Sequence, residues 1–95
     1  MFIAHLHYQR PIDVINSHVQ AHRDYLDTLY ATGKLIVSGR KADQTGGVIV
    51  FATSDRSEVE AIIAKDPFHS LDLATYELIE FDPAKYDPKF ADIYL

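Results

Sequence analysis

Two stretches of helical apolar spacing, set among short apolar runs, give the order β-α-β-β-α-β and predict an α+β domain of ferredoxin-like topology. The stronger stretch lies between Ile12 and Thr32, and the weaker one follows Asp55. Between them, Val48, Ile49, Val50 and Phe51 stand in unbroken succession, as in a central strand buried on both faces. In this topology both helices cover one face of a four-stranded antiparallel sheet, with the first and third strands at its centre. The other face is bare. Because the central strands carry apolar groups on both sides, a second copy of the chain is expected to cover it, giving a homodimer or a higher assembly.

Each element has its own signals. Phe2 to Tyr8 is rich in apolar and aromatic residues and reads as a strand. Pro11 marks a new start, and Ile15, Val19, His22, Leu26 and Leu29 then recur at steps of four, three, four and three. Gly33 is placed to stop that helix in a left-handed conformation. Leu35 to Ser38 is a short strand ended by Gly39, and Arg40 to Thr45 reads as a loop. Gly46 to Thr53 is the third strand. Asp55 can cap the second helix, with Glu58 at capping-box spacing and Val59, Ile62 and Ile63 on the apolar face. Pro67 ends it, since the residue before a proline leaves helical geometry. Leu73 to Phe81 alternates as a last strand. The domain is assigned to residues 1–83. The remainder, 84–95, carries Tyr86, Phe90 and Tyr94 four apart and is expected to pack on its own or a neighbouring subunit, with a helical turn from Pro88 onward.

Composition removes several functions. The 95 residues suffice for one domain, and 47% hydrophobic with 24% charged residues describes a folded chain. A net charge of -5, with no Lys/Arg cluster, argues against nucleic acid and anionic membrane as partners. No cysteine is present, which excludes disulfides, thiolate metal sites and cysteine nucleophiles. The start, Met-Phe-Ile-Ala-His, lacks the basic and apolar regions of a signal peptide, so a cytoplasmic protein is expected.

The chemistry centres on His22, a polar ring in an apolar stripe. It is either a core histidine with satisfied nitrogens or an acid/base whose titration range suits proton transfer. Asp66 is its candidate partner, because it leaves the second helix on the same face of the sheet that His22 addresses. A carboxylate on one imidazole nitrogen fixes the tautomer and raises the basicity of the other. Read alone, Asp66-Pro67 could equally be a simple turn. His5 and His7 share a strand face with Ile3, opposite Phe2, Ala4, Leu6 and Tyr8. They could line a polar pocket or the dimer interface, or hold a metal with a third ligand from a helix or loop; the metal-free reading is preferred. Ser38 could orient a substrate, although no nucleophile-elbow sequence surrounds it. Gly46-Gly47 does not match a phosphate loop.

His22-Arg23-Asp24-Tyr25-Leu26, Leu29, Gly33-Lys34-Leu35, Ser38-Gly39, Gly47 to Phe51 and Asp66-Pro67-Phe68 together resemble the YciI-like, or YCII-related, proteins from Phe2 to about Pro83. The resemblance implies a ferredoxin-like dimer of the dimeric α/β-barrel type. It also implies an active site built on a His-Asp pair, which falls on His22 and Asp66, and one branch of the family removes chloride from a hydroxyquinol-type aromatic. The expected activity is acid/base isomerisation, elimination or hydrolysis of a small organic molecule, aromatic or a cyclic ketone. His22 and Asp66 would be catalytic, His5, His7, Ser38 and Phe68 would meet the substrate, and no cofactor or metal is called for. A non-catalytic dimeric module holding a small ligand, and a metal-dependent site at His5 and His7, remain the alternatives.

Overall fold

The computed structural model describes residues 1–94; Leu95 and the side chain of Tyr94, the third aromatic of the tail, lie outside the described residues. In chain order it has β1 (Phe2–Tyr8), α1 (Ile12–Ala31), β2 (Leu35–Arg40), β3 (Gly46–Phe51), α2 (Arg56–Lys65), α3 (Pro67–Ser70), β4 (Ala74–Glu80), a 3-10 turn (Pro88–Phe90) and α4 (Ala91–Tyr94). The strands form one antiparallel sheet in the order β2-β3-β1-β4, with β1 and β3 central as the topology requires.

Side-chain alternation divides the sheet. Phe2, Ala4 and Leu6 of β1, with Ile49 and Phe51 of β3, are buried against Ile15 and Leu26 of α1, Val59 and Ile63 of α2, and Phe68 of α3. The opposite parity, Ile3, His5 and His7 paired with Val50, Val48 and Gly46, faces away from the helices. On that face Val37 is 56% exposed and Ile79 48%.

Local chemistry explains the boundaries. The Gly33 N–H bonds to the Tyr30 carbonyl at 3.1 Å and the Lys34 N–H to Leu29 at 3.0 Å, with Gly33 at φ +75°, which is the Schellman closure of α1. Asp55 caps α2 by accepting from the N–H groups of Ser57 and Glu58. A Cβ at Gly46 would fall onto the Leu6 carbonyl, so the close approach of β1 and β3 there requires glycine.

Two elements depart from the expected boundaries. Arg40 does not open a loop: β2 runs through Gly39 and Arg40, which pair with Val48 and Gly47. Between Leu35 and Val37 the register shifts, so Ile36 is an extra residue and the side-chain parity inverts. Leu35 and, beyond the bulge, Ser38 and Arg40 then all belong to the helix-covered side. The second departure is α3, a single turn begun by Pro67 where the sequence suggests only the end of α2. In the tail, the Tyr86 and Phe90 rings meet at 5.9 Å, and Tyr86 and Ile93 remain 47% and 60% exposed.

Candidate active site

Asp66 serves three local purposes. Held in an extended conformation (φ -69°, ψ 128°) by the following proline, it ends α2. Pro67 at the first position of α3 has no N–H to leave unpaired, and Asp66 becomes the cap of that turn. Its Oδ1 accepts the Phe68 N–H at 3.0 Å. The same oxygen lies 2.8 Å from His22 Nδ1, across the gap between α1 and α3. Asp66 is 1% exposed, the only buried charged residue of the described chain. The Phe68 ring lies flat on the His22 imidazole, centroids 4.0 Å apart and planes 1° from parallel, and Tyr8 meets Phe68 edge-on at 6.0 Å. The imidazole is therefore held at its edge by a carboxylate and across its face by an aromatic ring.

A neutral His22 that donates its Nδ1 proton to Asp66 carries its lone pair on Nε2, which makes no hydrogen bond within the described chain. That is the arrangement of a general base whose tautomer is set by its partner. The Asp66 charge also reaches two tyrosines. Burial, and then that negative charge, push the Tyr76 phenol far above its ordinary range. Its hydroxyl is buried and stands close enough to feel the carboxylate without reaching hydrogen-bond geometry with any of the described residues. Tyr25 is raised for the same two reasons in the same order, and its hydroxyl donates to the Ile62 carbonyl at 2.7 Å.

His22 lines a cavity of about 180 Å³ between α1 and the sheet. Leu6, Val19, Leu26, Ile49 and Phe68 give it apolar walls, and Tyr8, Arg23, Ser38 and Arg40 give it polar ones. Ser38 Oγ is 2.7 Å from the Tyr30 hydroxyl. The Arg40 guanidinium donates to the Tyr8 hydroxyl at 3.2 Å and to Asn16 Oδ1 at 2.7 Å, and stands 5.7 Å over the Tyr8 ring. Arg10 and Arg56 are paired with Asp72 and Glu60, but neither Arg23 nor Arg40 has a carboxylate within ion-pair reach among the described residues. A chain of net charge -5 thus lines one small cavity with two arginines that no carboxylate of the described residues pairs.

The structure brings His22, Asp66, Phe68 and Ser38 together. It does not bring His5 and His7 to them. Those rings lie on the opposite face of the sheet, 4.0 Å from one another, with His5 Nδ1 3.8 Å from Glu77 Oε1. Tyr8, which the sequence offered with other tyrosines as an aromatic wall, does line the cavity, whereas sequence reading passed over Arg23 and Arg40 there and Asn16, which holds Arg40. The available signal was Arg40 standing two positions after Ser38, the spacing of one strand face, and it is hidden when β2 is ended at Gly39.

The model of the YCII-related domain matches residues 1–82. No curated protein matches the chain. Among solved structures, the 5-chloro-2-hydroxyhydroquinone dehydrochlorinase of Burkholderia phenoliruptrix AC1100, in complex with 2,5-dihydroxybenzoquinone, is similar with a TM-score of 0.69 and 23% identity. The similarity covers 86% of this chain and 94% of that one, and it shows a common fold. No described helix is long and apolar enough to cross a membrane.

Proposed function

The chain belongs to the YCII-related family, and from that premise we propose that it is an acid/base enzyme acting on a small, planar, acidic ring compound, a hydroxylated aromatic or an enolisable cyclic ketone. The observation that carries this reading is the Asp66-bound His22 on the wall of a cavity lined by those two arginines. His22 Nε2 takes a proton from the substrate's O–H or C–H. The electron pair so released moves into the ring, which takes a proton back at another carbon; where that carbon carries halide, a second deprotonation at a ring hydroxyl then expels halide ion, with net loss of the hydrogen halide and formation of a quinone. Asp66 orients the ring and stabilises the imidazolium that forms. Arg40 and Arg23 receive the anionic oxygen of the substrate, and Ser38 and Phe68 position it. The similar dehydrochlorinase acts on a chlorinated hydroxyhydroquinone, a compound of this class.

Two copies are proposed to pair through the sheet face that carries Val37, Val48, Val50 and Ile79, with residues 84–95 packing on the same or the neighbouring subunit. Val37→Glu should convert the dimer to a monomer in sedimentation; a wild-type monomer removes this part of the proposal.

Turnover is tested by chloride release from 5-chloro-2-hydroxyhydroquinone and by solvent-deuterium uptake into a panel of hydroxylated ring ketones. His22→Gln is expected to lower the rate by about 10²–10⁴-fold. Activity equal in wild type and His22→Gln, or no turnover by the wild type across the panel, overturns the reading.

A further inference from the structure

We propose that His5, His7 and Glu77 form a binding site for a divalent transition-metal ion, with zinc the ion to test first, on the sheet face opposite His22. The register builds the site. His5 and His7 leave β1 on one side because strand side chains alternate, and Glu77 of β4 stands directly across from His5. His7 is the diagonal neighbour of Glu77, within the reach of long side chains on adjacent strands. Gly46, across from His7 on β3, contributes no side chain to compete for the space. One donor atom from each of the three residues lies within 4.8 Å of the other two. Tetrahedral ligands about 2.0–2.1 Å from zinc stand about 3.4 Å apart. Closing the set therefore takes side-chain rotation and no movement of the strands.

The donors suit such an ion. Two imidazoles and one carboxylate are a borderline nitrogen-oxygen set, suited to zinc and its neighbours, whereas calcium and magnesium prefer oxygen alone. Three protein ligands leave a fourth position open to water. The chain itself does not use this bonding capacity. Among the described residues, His5 Nε2 is closed to solvent without a hydrogen-bond partner, and Glu77, its side chain 64% exposed, makes only a long approach of 3.8 Å to His5. An exposed contact of that kind contributes little by itself. The third ligand comes from the neighbouring strand and not, as the sequence suggested, from a helix or loop. The sheet separates this cluster from His22, so the proposal stands independently of the acid/base reading, and it shares its face with Val48, Val50 and Ile79, through which two copies are proposed to pair.

Chelator-stripped full chain is titrated with Zn²⁺ by calorimetry and with Co²⁺ by visible absorption. One ion per chain, intense cobalt bands of four- or five-fold coordination and a higher Tm with zinc are expected. Glu77→Gln, near-isosteric and checked for unchanged fold and assembly by circular dichroism and sedimentation, should weaken binding by at least the roughly tenfold that losing a ligand's own hydrogen-bond partner costs, and His5→Ala/His7→Ala should abolish it. Absence of uptake by the wild type, affinity unchanged by Glu77→Gln, or uptake lost instead on replacing the histidines of α1 and α3 outside the His22 pair (His18→Ala/His69→Ala) would overturn the proposal.

Discussion

Replacing Asp66 by Asn separates the carboxylate's charge from its place in the fold. Oδ1 accepts from the Phe68 N–H at 3.0 Å and faces His22 Nδ1 at 2.8 Å. Asparagine caps helices as well as aspartate does, so α3 and its bond to Phe68 should persist. What disappears is the negative charge against the imidazole, at a residue 1% exposed. A hydrogen bond to a charged group contributes about 1.5–3 kcal/mol. Against that loss stands relief from desolvating a carboxylate, which an amide does not need. The net cost should be about 1–2 kcal/mol, or roughly 4–8 °C in Tm per kcal/mol for a domain of this size. The pairwise term is cleaner. In a cycle of Asp66→Asn, His22→Phe and the double variant, phenylalanine keeps a ring against Phe68 and removes the nitrogen. The coupling should be about 1.5–3 kcal/mol. Urea unfolding followed by far-UV circular dichroism measures it, as the chain has no tryptophan. Additivity within about 0.5 kcal/mol would mean that the two groups do not act as a unit, and the orienting role of Asp66 would fail.

Arg40→Gln should raise KM for an anionic ring substrate about ten- to a hundred-fold and leave KM for a neutral analogue unchanged, because it removes a charge-assisted contact and not a wall; equal effects on both substrates refute the assignment. The Tyr76 phenol is raised above its ordinary value of 10.0 in the folded chain. The unfolded chain therefore releases that proton first as pH rises. Stability should be full below about pH 10 and decline above it, and Tyr76→Phe should blunt the decline in Tm measured across that range. Phe68→Ala should cost about 3–5 kcal/mol in urea unfolding, since Phe68 is 2% exposed and its ring supports both His22 and Tyr8. A cost under about 1 kcal/mol would show that the stacked ring is not a packed one.

The parts of the fold that local rules govern were legible in advance. The stripe Ile15-Val19-His22-Leu26-Leu29 placed His22 toward the sheet, Gly33 ended the helix, and Asp66-Pro67 ended the next one. The face occupied by His5 and His7 was also readable, since alternation set them against Phe2, Ala4 and Leu6. That alternation did not reveal which of the two faces the helices cover. Only the assembled sheet does, and it puts the two rings away from the cavity. Nor could Glu77 be seen as their neighbour, because cross-strand register depends on two segments some seventy residues apart.

The cavity's polar wall depends on a single irregularity. In a regular strand, Leu35, Val37 and Gly39 would share one face, and Ser38 and Arg40 would point with Ile36 to the other. A buried Leu35 under α1 would then turn Ser38 and Arg40 away from His22. The extra residue at Ile36 inverts the parity between Leu35 and Val37, so one strand can bury a leucine in the core and still present a serine and an arginine to the same side. Nothing in Leu35-Ile36-Val37-Ser38 distinguishes a bulge from a straight run, because Ile36 and Val37 at the irregularity are both strong strand formers. The His-Asp pair rests on helix periodicity and a proline, which a sequence displays. The groups that would select its substrate rest on a one-residue slip in register, which it does not.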